Sequence, residues 1–184
     1  MMDKVVMDKV VMDEVRHLWI ARHAFANEDE TGLTGDGEQQ AALLGERLAG
    51  VPLSAVFHGP LPRAARTAEL VAAHLGDVPV EPAEELDDNL PTPANSAAMI
   101  ARFTGPAAVE THELLITHAF QVAWLVRDAL EAPEERWRGL NACNTGLTLI
   151  RYFPGQKPRL IMFNDVSHLP AALQWTGFPP ELRP

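Results

Sequence analysis

A chain of 184 residues is long enough for one well-buried core and short for two, and 47% hydrophobic with 22% charged residues is ordinary globular composition. The formal charge of −10 excludes the basic surface that nonspecific binding to nucleic acid or an anionic membrane requires, so any anion site has to be local. The one cysteine, Cys143, closes no internal disulfide and makes no metal cluster; no run reaches membrane-span length and the amino terminus lacks the apolar core of a signal peptide, so a cytoplasmic protein is expected.

Met2-Asp3-Lys4-Val5-Val6 recurs as Met7-Asp8-Lys9-Val10-Val11 and, degraded, from Met12 to Val15. A period of five fits neither helix nor strand, so residues 1–15 read as an extension and 16–184 as a single domain. Leu18-Trp19-Ile20-Ala21 is a short apolar run ending in Arg22-His23-Ala24, the pattern of a buried strand that presents Arg22 and His23 at its carboxyl end. Phe25 to Gly32 is an acidic loop with Glu28, Asp29 and Glu30, placed at the mouth of whatever pocket that strand end builds. Thr34 is positioned to cap a helix with acids in its first turn and Ala41, Leu44 and Leu48 on one face, ended by Gly50-Val51-Pro52.

Ser54 to Phe57 is a second strand, followed by a helix that starts at Pro62, runs to about Leu75 and carries Arg63 in its first turn. Arg66, one turn on, reads as a solvated charge. A third strand near Val78 to Glu81 leads into the acid- and proline-rich stretch Pro82 to Pro93, most of whose carboxylates should be solvated. A helix from about Ala94 to Phe103 precedes the run Leu114-Leu115-Ile116-Thr117-His118, which repeats the design of the first strand. Val122, Leu125, Val126 and Ala129 then form the buried stripe of another helix, with Trp124 and Trp137 read as packing. Gly146 to Phe153 and Arg159 to Phe163 make a hairpin across Pro154-Gly155, and Asn164 to Pro184, rich in proline, wraps the surface. Strands alternating with helices before a terminal hairpin specify an α/β sandwich with a mixed sheet. Ligands bind such sheets at the strands' carboxyl edge, where two strand-borne histidines and an arginine would meet, the outline of a phosphate pocket.

Arg22-His23-Ala24 resembles the Arg-His-Gly signature of the histidine phosphatase superfamily. The companion motifs follow in order: Leu-Thr-x-x-Gly-x-x-Gln-Ala at Leu33 to Ala41, Pro-Leu-x-Arg-Ala-x-x-Thr-Ala at Pro60 to Ala68, Thr117-His118-Ala119, and Asn164-Asp165. The resemblance spans about residues 17 to 170. It implies the phosphoglycerate mutase-like fold, a three-layer sandwich with a mostly parallel mixed sheet flanked by helices. It also implies phosphomonoester hydrolysis through a phosphohistidine on His23, with Arg22, Arg63 and His118 gripping the phosphate and no metal or other cofactor. The proton donor falls on Asp88, with Asp87 and Glu85 as alternatives, because glutamate is the commoner residue at that place. Asn27, His58 and Ala119 are the further candidate contacts to substrate. His58 stands where serine is frequent, and Ala24 and Ala119 stand where glycine is usual, both small enough for close backbone approach.

The residues agree with that chemistry. Two guanidiniums offer planar forks of donors that cannot lose their charge, and an imidazole is substantially neutral near pH 7 with a second nitrogen that a carbonyl can fix. A phosphorylated small molecule or a phosphoprotein is the expected partner, with nucleic acid and membrane excluded and the oligomeric state open. The acidic loop is expected to disfavour highly anionic substrates. The competing readings are a mutase-type phosphoryl transfer, a noncatalytic phospho-ligand-binding module, and a metal hydrolase suggested by the seven histidines. His168, Asn144 and Asp165 read as stabilising the terminal segment, and His17, His74 and His112 as surface or local structure.

Overall fold

A computed structural model describes residues 14–183; the pentapeptide repeat lies outside them up to Asp13. One sheet of six strands runs in the order β3-β2-β4-β1-β5-β6, where β1 is Arg16–Arg22, β2 Ala55–His58, β3 Val80–Pro82, β4 Thr111–Thr117, β5 Leu147–Tyr152 and β6 Arg159–Asp165. The first four are parallel to one another; β5 pairs antiparallel with β1, and β6 with β5. The expected mixed, mostly parallel sheet is therefore present. β3 is the shortest strand and stays exposed on its edge, a common way of blunting a sheet margin.

The period of two along the strands divides the core. Leu18 and Ile20 of β1, Phe57 of β2, Leu115 of β4 and Ile150 of β5 face one side, where they meet α3 (Ala97–Phe103) and α4 (Ala119–Ala129) through Met99, Phe103, Val122, Leu125 and Val126. Ala21, Val56, Leu114, Ile116 and Leu147 face the other, against α1 (Gly35–Leu48) and α2 (Pro62–Ala72) through Ala41, Leu44, Leu48, Ala64 and Val71. Each fully buried leucine or isoleucine here contributes about 1.5–3 kcal/mol of transfer free energy. The two helix layers enclosing the sheet give the three-layer sandwich.

Helix boundaries follow their local signals. Thr34 caps α1, its Oγ1 accepting from Gly37 N at 3.0 Å, and Pro62 occupies the first helical position of α2. Helix α3 starts at Ala97, three residues later than the sequence suggests, since Thr92 and Asn95 close a turn on each other first. The carboxyl-terminal segment departs further from expectation. It does wrap the surface, burying Leu169 and Leu173, but it also folds back over the carboxyl edge of the sheet and contributes to the cleft there.

Candidate active site

Arg22 and Thr117 are register partners at the ends of adjacent parallel strands, so the residues that follow them, His23 and His118, leave the sheet side by side. A 2.8 Å hydrogen bond from His23 N to Thr117 O holds them there, and the two rings lie 5.1 Å apart, tilted by 56°. Two motifs that carry no chemistry explain how the backbone is fixed. Thr67 Oγ1 donates to Arg63 O at 2.7 Å and accepts from Ala24 N at 3.0 Å, which ties α2 to the residue after His23. Gln40, fully buried in α1, accepts from Phe25 N at 2.9 Å and donates to Leu173 O and Thr176 Oγ1, which ties the same loop to the carboxyl-terminal segment. At Gly37 any Cβ would come within 2.1 Å of Phe25 O, so this loop can lie on α1 only over a glycine.

The protonation of His23 follows from its partners. Nδ1 lies 2.8 Å from Ala24 O, which can only accept, and Nε2 lies 3.2 Å from Arg63 Nε, which can only donate. Nδ1 therefore carries the proton and Nε2 presents its lone pair. Burial, reinforced by the Arg22 charge, holds the imidazole pKa well below its ordinary value, so the ring is neutral near pH 7.

Arg63 is the hub. Its Nε donates to His23, its NH2 to Asp88 Oδ2 at 2.7 Å, and its NH1 lies 3.3 Å from Glu30 Oε2, all from a guanidinium that is almost wholly buried. Arg22 is aimed by carbonyls: its NH1 donates to Ala142 O at 3.0 Å and Gly177 O at 2.7 Å, while its Nε is buried without a partner. Gly177 has a positive φ of 68°, and a Cβ there would sit 2.6 Å from Arg22 NH1, so glycine is required on both counts. Asn144 Nδ2 donates to His23 O at 2.8 Å.

His118 is 1% exposed and neither ring nitrogen has a hydrogen-bond partner; Nδ1 faces Asp88 Oδ2 at 3.6 Å. His118 stands beside the Arg22 and Arg63 guanidiniums, whose charges suit the cleft to an anion, with its own Nε2 against Gly59. The backbone N–H groups at the start of α4, from Ala119 and Phe120 beside the same cleft, add the positive end of a helix. Burial pushes the His118 pKa down to about 4. A group whose folded pKa lies below its unfolded value of about 6.5 leaves stability intact above that value and removes it as pH falls toward the folded one. Acidification from about pH 6.5 to 4 should therefore cost roughly 3 kcal/mol at His118. Denaturant unfolding across this range checks it, with His118→Gln expected to flatten the dependence.

The structure separates the three candidate acids. Asp88 reaches the cleft, on a loop held by Thr117 Oγ1 donating to Leu86 O and Gln121 Nε2 donating to Asn89 O. Asp87 turns back on its own loop, accepting from Asp88 N and Asn89 Nδ2. Glu85 pairs with Arg102 at 3.0 Å. Asn27 and Ala119 line the cleft on opposite sides, although the Asn27 amide oxygen is taken by Gly32 N. His58 is not among the residues that line either side of the cleft, although its Nδ1 bonds to Gly59 O just as His23 Nδ1 bonds to Ala24 O. Arg66 is a solvated charge, paired with Glu38 and Glu69. Sequence reasoning gave no place in the site to Glu30's contact with Arg63, to the Asn144 side chain, to Phe120 or to Gly177. The positive φ at Gly177 is the one feature a sequence could hint at.

Of the remaining histidines, one behaves as expected and one is adjusted. His168 bonds Thr145 Oγ1 and supports the terminal segment as expected. His17, read as surface or local structure, is buried and stacks on His112 with centroids 4.0 Å apart, both rings next to Glu110. Trp19 Nε1 donates to His112 Nδ1 at 3.5 Å, which places the His112 proton on Nε2, facing the carboxylate. This cluster lies at the opposite ends of β1 and β4 from the cleft.

Comparison with known proteins places these features. The sequence model of the histidine phosphatase superfamily (branch 1) matches residues 16–90, which include Arg22, His23, Arg63 and Asp88. Over that stretch the chain is similar to the histidine phosphatase superfamily. It is 26% identical over 185 residues to the mitochondrial serine/threonine-protein phosphatase PGAM5 of Rattus norvegicus, covering 84% of this chain and 64% of that protein; the chain thus spans under two thirds of the length of this relative. Phosphoglycerate mutase from Plasmodium falciparum superposes with a TM-score of 0.67 at 22% identity, over 86% of this chain and 96% of that one. A phosphoserine phosphatase from Entamoeba histolytica in complex with 3-phosphoglyceric acid gives 0.63 at 18% identity, over 84% and 100%. These two structures establish the phosphoglycerate mutase-like fold.

Proposed function

We propose that this chain is a member of the histidine phosphatase superfamily and hydrolyses a phosphomonoester through a phosphohistidine on His23. The observation that carries the reading is the tautomer of His23, with Nδ1–H spent on Ala24 O and the Nε2 lone pair turned toward Arg63 Nε in a cleft that Asp88 and His118 also line. An incoming phosphate draws the Arg63 and Arg22 donors onto its oxygens, which uncovers Nε2. Asp88, released by Arg63 and set beside the phosphate's negative charge, takes up a proton from solvent; the N–P bond then forms as the P–O bond of the ester breaks, and Asp88 gives that proton to the departing oxygen. Water then attacks phosphorus, Asp88 takes the proton back, and the N–P bond breaks. Two guanidiniums and the start of α4 supply the charge stabilisation that a metal would otherwise bring. The rat relative's name, a serine/threonine-protein phosphatase, supports a phosphoprotein as substrate.

The test is release of inorganic phosphate from p-nitrophenyl phosphate and from a phosphoserine peptide, with and without chelator. Wild-type protein should release phosphate from both, undiminished by chelator; release from neither ends the reading. Asp88→Asn should lower kcat by about 10²–10⁴ on the peptide, whose alkoxide needs a proton. The loss should be much smaller on p-nitrophenyl phosphate, whose phenolate leaves unaided. Equal losses on the two substrates would remove Asp88 from the role of acid.

A further inference from the structure

The phosphate-binding centre opens on two sides of opposite character. One recess, about 230 Å³, continues past Ala119, Phe120, Ala142 and Pro179 and adds no charged side chain, among the described residues, to those of the centre itself. The other, about 340 Å³, runs along Phe25, Asn27, Glu28 and Glu30 to Arg63. A small phosphomonoester fills one of these at most, whereas an extended chain bearing the phosphate in its middle fills both.

Glu30 is held ready on the acidic side. Its backbone, at φ 58°, is pinned by its own N–H to Asn27 O and by Asp29 Oδ1 accepting from Thr31 N and Oγ1. Its side chain is 65% exposed and its Oε2 rests on Arg63 NH1. When a phosphate takes the Arg63 fork, Glu30 loses its cation and stands with Glu28 at the mouth of a chain of net charge −10. A cation carried by the substrate restores the pair, whereas an acidic flank meets two carboxylates at close range.

Building on the phosphatase reading above, we propose that the preferred substrate is a phosphopeptide segment with a lysine or arginine next to the phosphorylated residue on the Glu28–Glu30 side and an apolar residue on the Phe120–Pro179 side. Glu30 is the residue that sets this polarity, by exchanging Arg63 for the substrate's cation.

Steady-state hydrolysis of phosphoserine peptides that differ only in their flanks tests it. Peptides with an arginine flank should show a kcat/KM roughly tenfold above those with glutamate, the scale of one or two partly exposed charge pairs. The gap should narrow in high salt. In Glu28→Gln/Glu30→Gln the ratio should fall below about threefold, and the KM for p-nitrophenyl phosphate should drop because Arg63 loses a competing carboxylate. Phosphoethanolamine, which carries an ammonium without a peptide, should be hydrolysed less efficiently than the arginine peptide. Equal rates for both flanks, or a preference that survives the double substitution, would overturn the proposal while p-nitrophenyl phosphate hydrolysis leaves the phosphatase reading standing. Phosphoethanolamine exceeding the peptides would overturn the peptide assignment, and no hydrolysis of any substrate would instead sink the phosphatase reading on which it rests.

Discussion

Replacing His23 with alanine should lower kcat/KM for any phosphomonoester by roughly 10⁴-fold or more and abolish acid-labile, base-stable phosphate on the protein. The size of the loss follows from what stands near Nε2. His118 is the other imidazole within reach of the same phosphorus, but its nitrogens face Asp88 and the Gly59 backbone, and no carbonyl fixes its tautomer. Water in the space left by His23 would still find the phosphate held by Arg22 and Arg63, so a small residual rate is expected. Quench-flow trapping of radiolabelled protein, compared between wild type and His23→Ala, tests directly for the proposed intermediate. Label that survives in the variant would move the nucleophile to His118, and a rate within tenfold of wild type would argue for direct attack by water.

Arg63→Lys keeps the charge and should still cost about 10²–10³ in kcat/KM. One guanidinium reaches His23, Asp88 and Glu30 at once with three different nitrogens, and its planar fork is what can pass from these groups to two oxygens of a phosphate. A lysine ammonium places a single point charge in that space and cannot span His23 and Asp88. Asp88 and Glu30 would then be left with less neutralisation beside an incoming dianion, so KM should rise as kcat falls. Circular dichroism and kinetics on p-nitrophenyl phosphate check this together; loss of activity with an intact spectrum is the expected pair of results. Activity within a few fold of wild type would show that charge alone, without the fork, suffices.

What the amino-acid sequence determined by itself is what depends on neighbours along the chain. The apolar runs before Arg22-His23 and Thr117-His118 set two strands, and a strand's end presents whatever follows it, so both imidazoles were legible at one sheet edge. Pro62 at the first turn of α2 placed Arg63 at the same edge, and Thr34 marked the start of α1, because caps and fixed φ angles act over three or four residues. The order of motifs carried the family resemblance and, through it, the fold.

Only the tertiary structure decided where side chains on irregular backbone point. Glu85, Asp87 and Asp88 are alike in acidity and near neighbours in sequence. Asp88 faces the cleft because Thr117 and Gln121 tether its loop, Asp87 bonds within that loop, and Arg102 occupies Glu85. His58 and His23 both stand at a strand end and both bond through Nδ1 to the next residue's carbonyl, yet of the two His23 lines the cleft and His58 does not, a distinction no local pattern carries. Arg22 is aimed by a carbonyl 155 residues further on, at Gly177, and His23 owes its tautomer to one neighbouring carbonyl and to a guanidinium on another element. In a helix or strand the backbone's own repeat fixes side-chain direction; in loops that direction is set by whichever distant groups satisfy the polar atoms, and those partners meet only when the chain has folded.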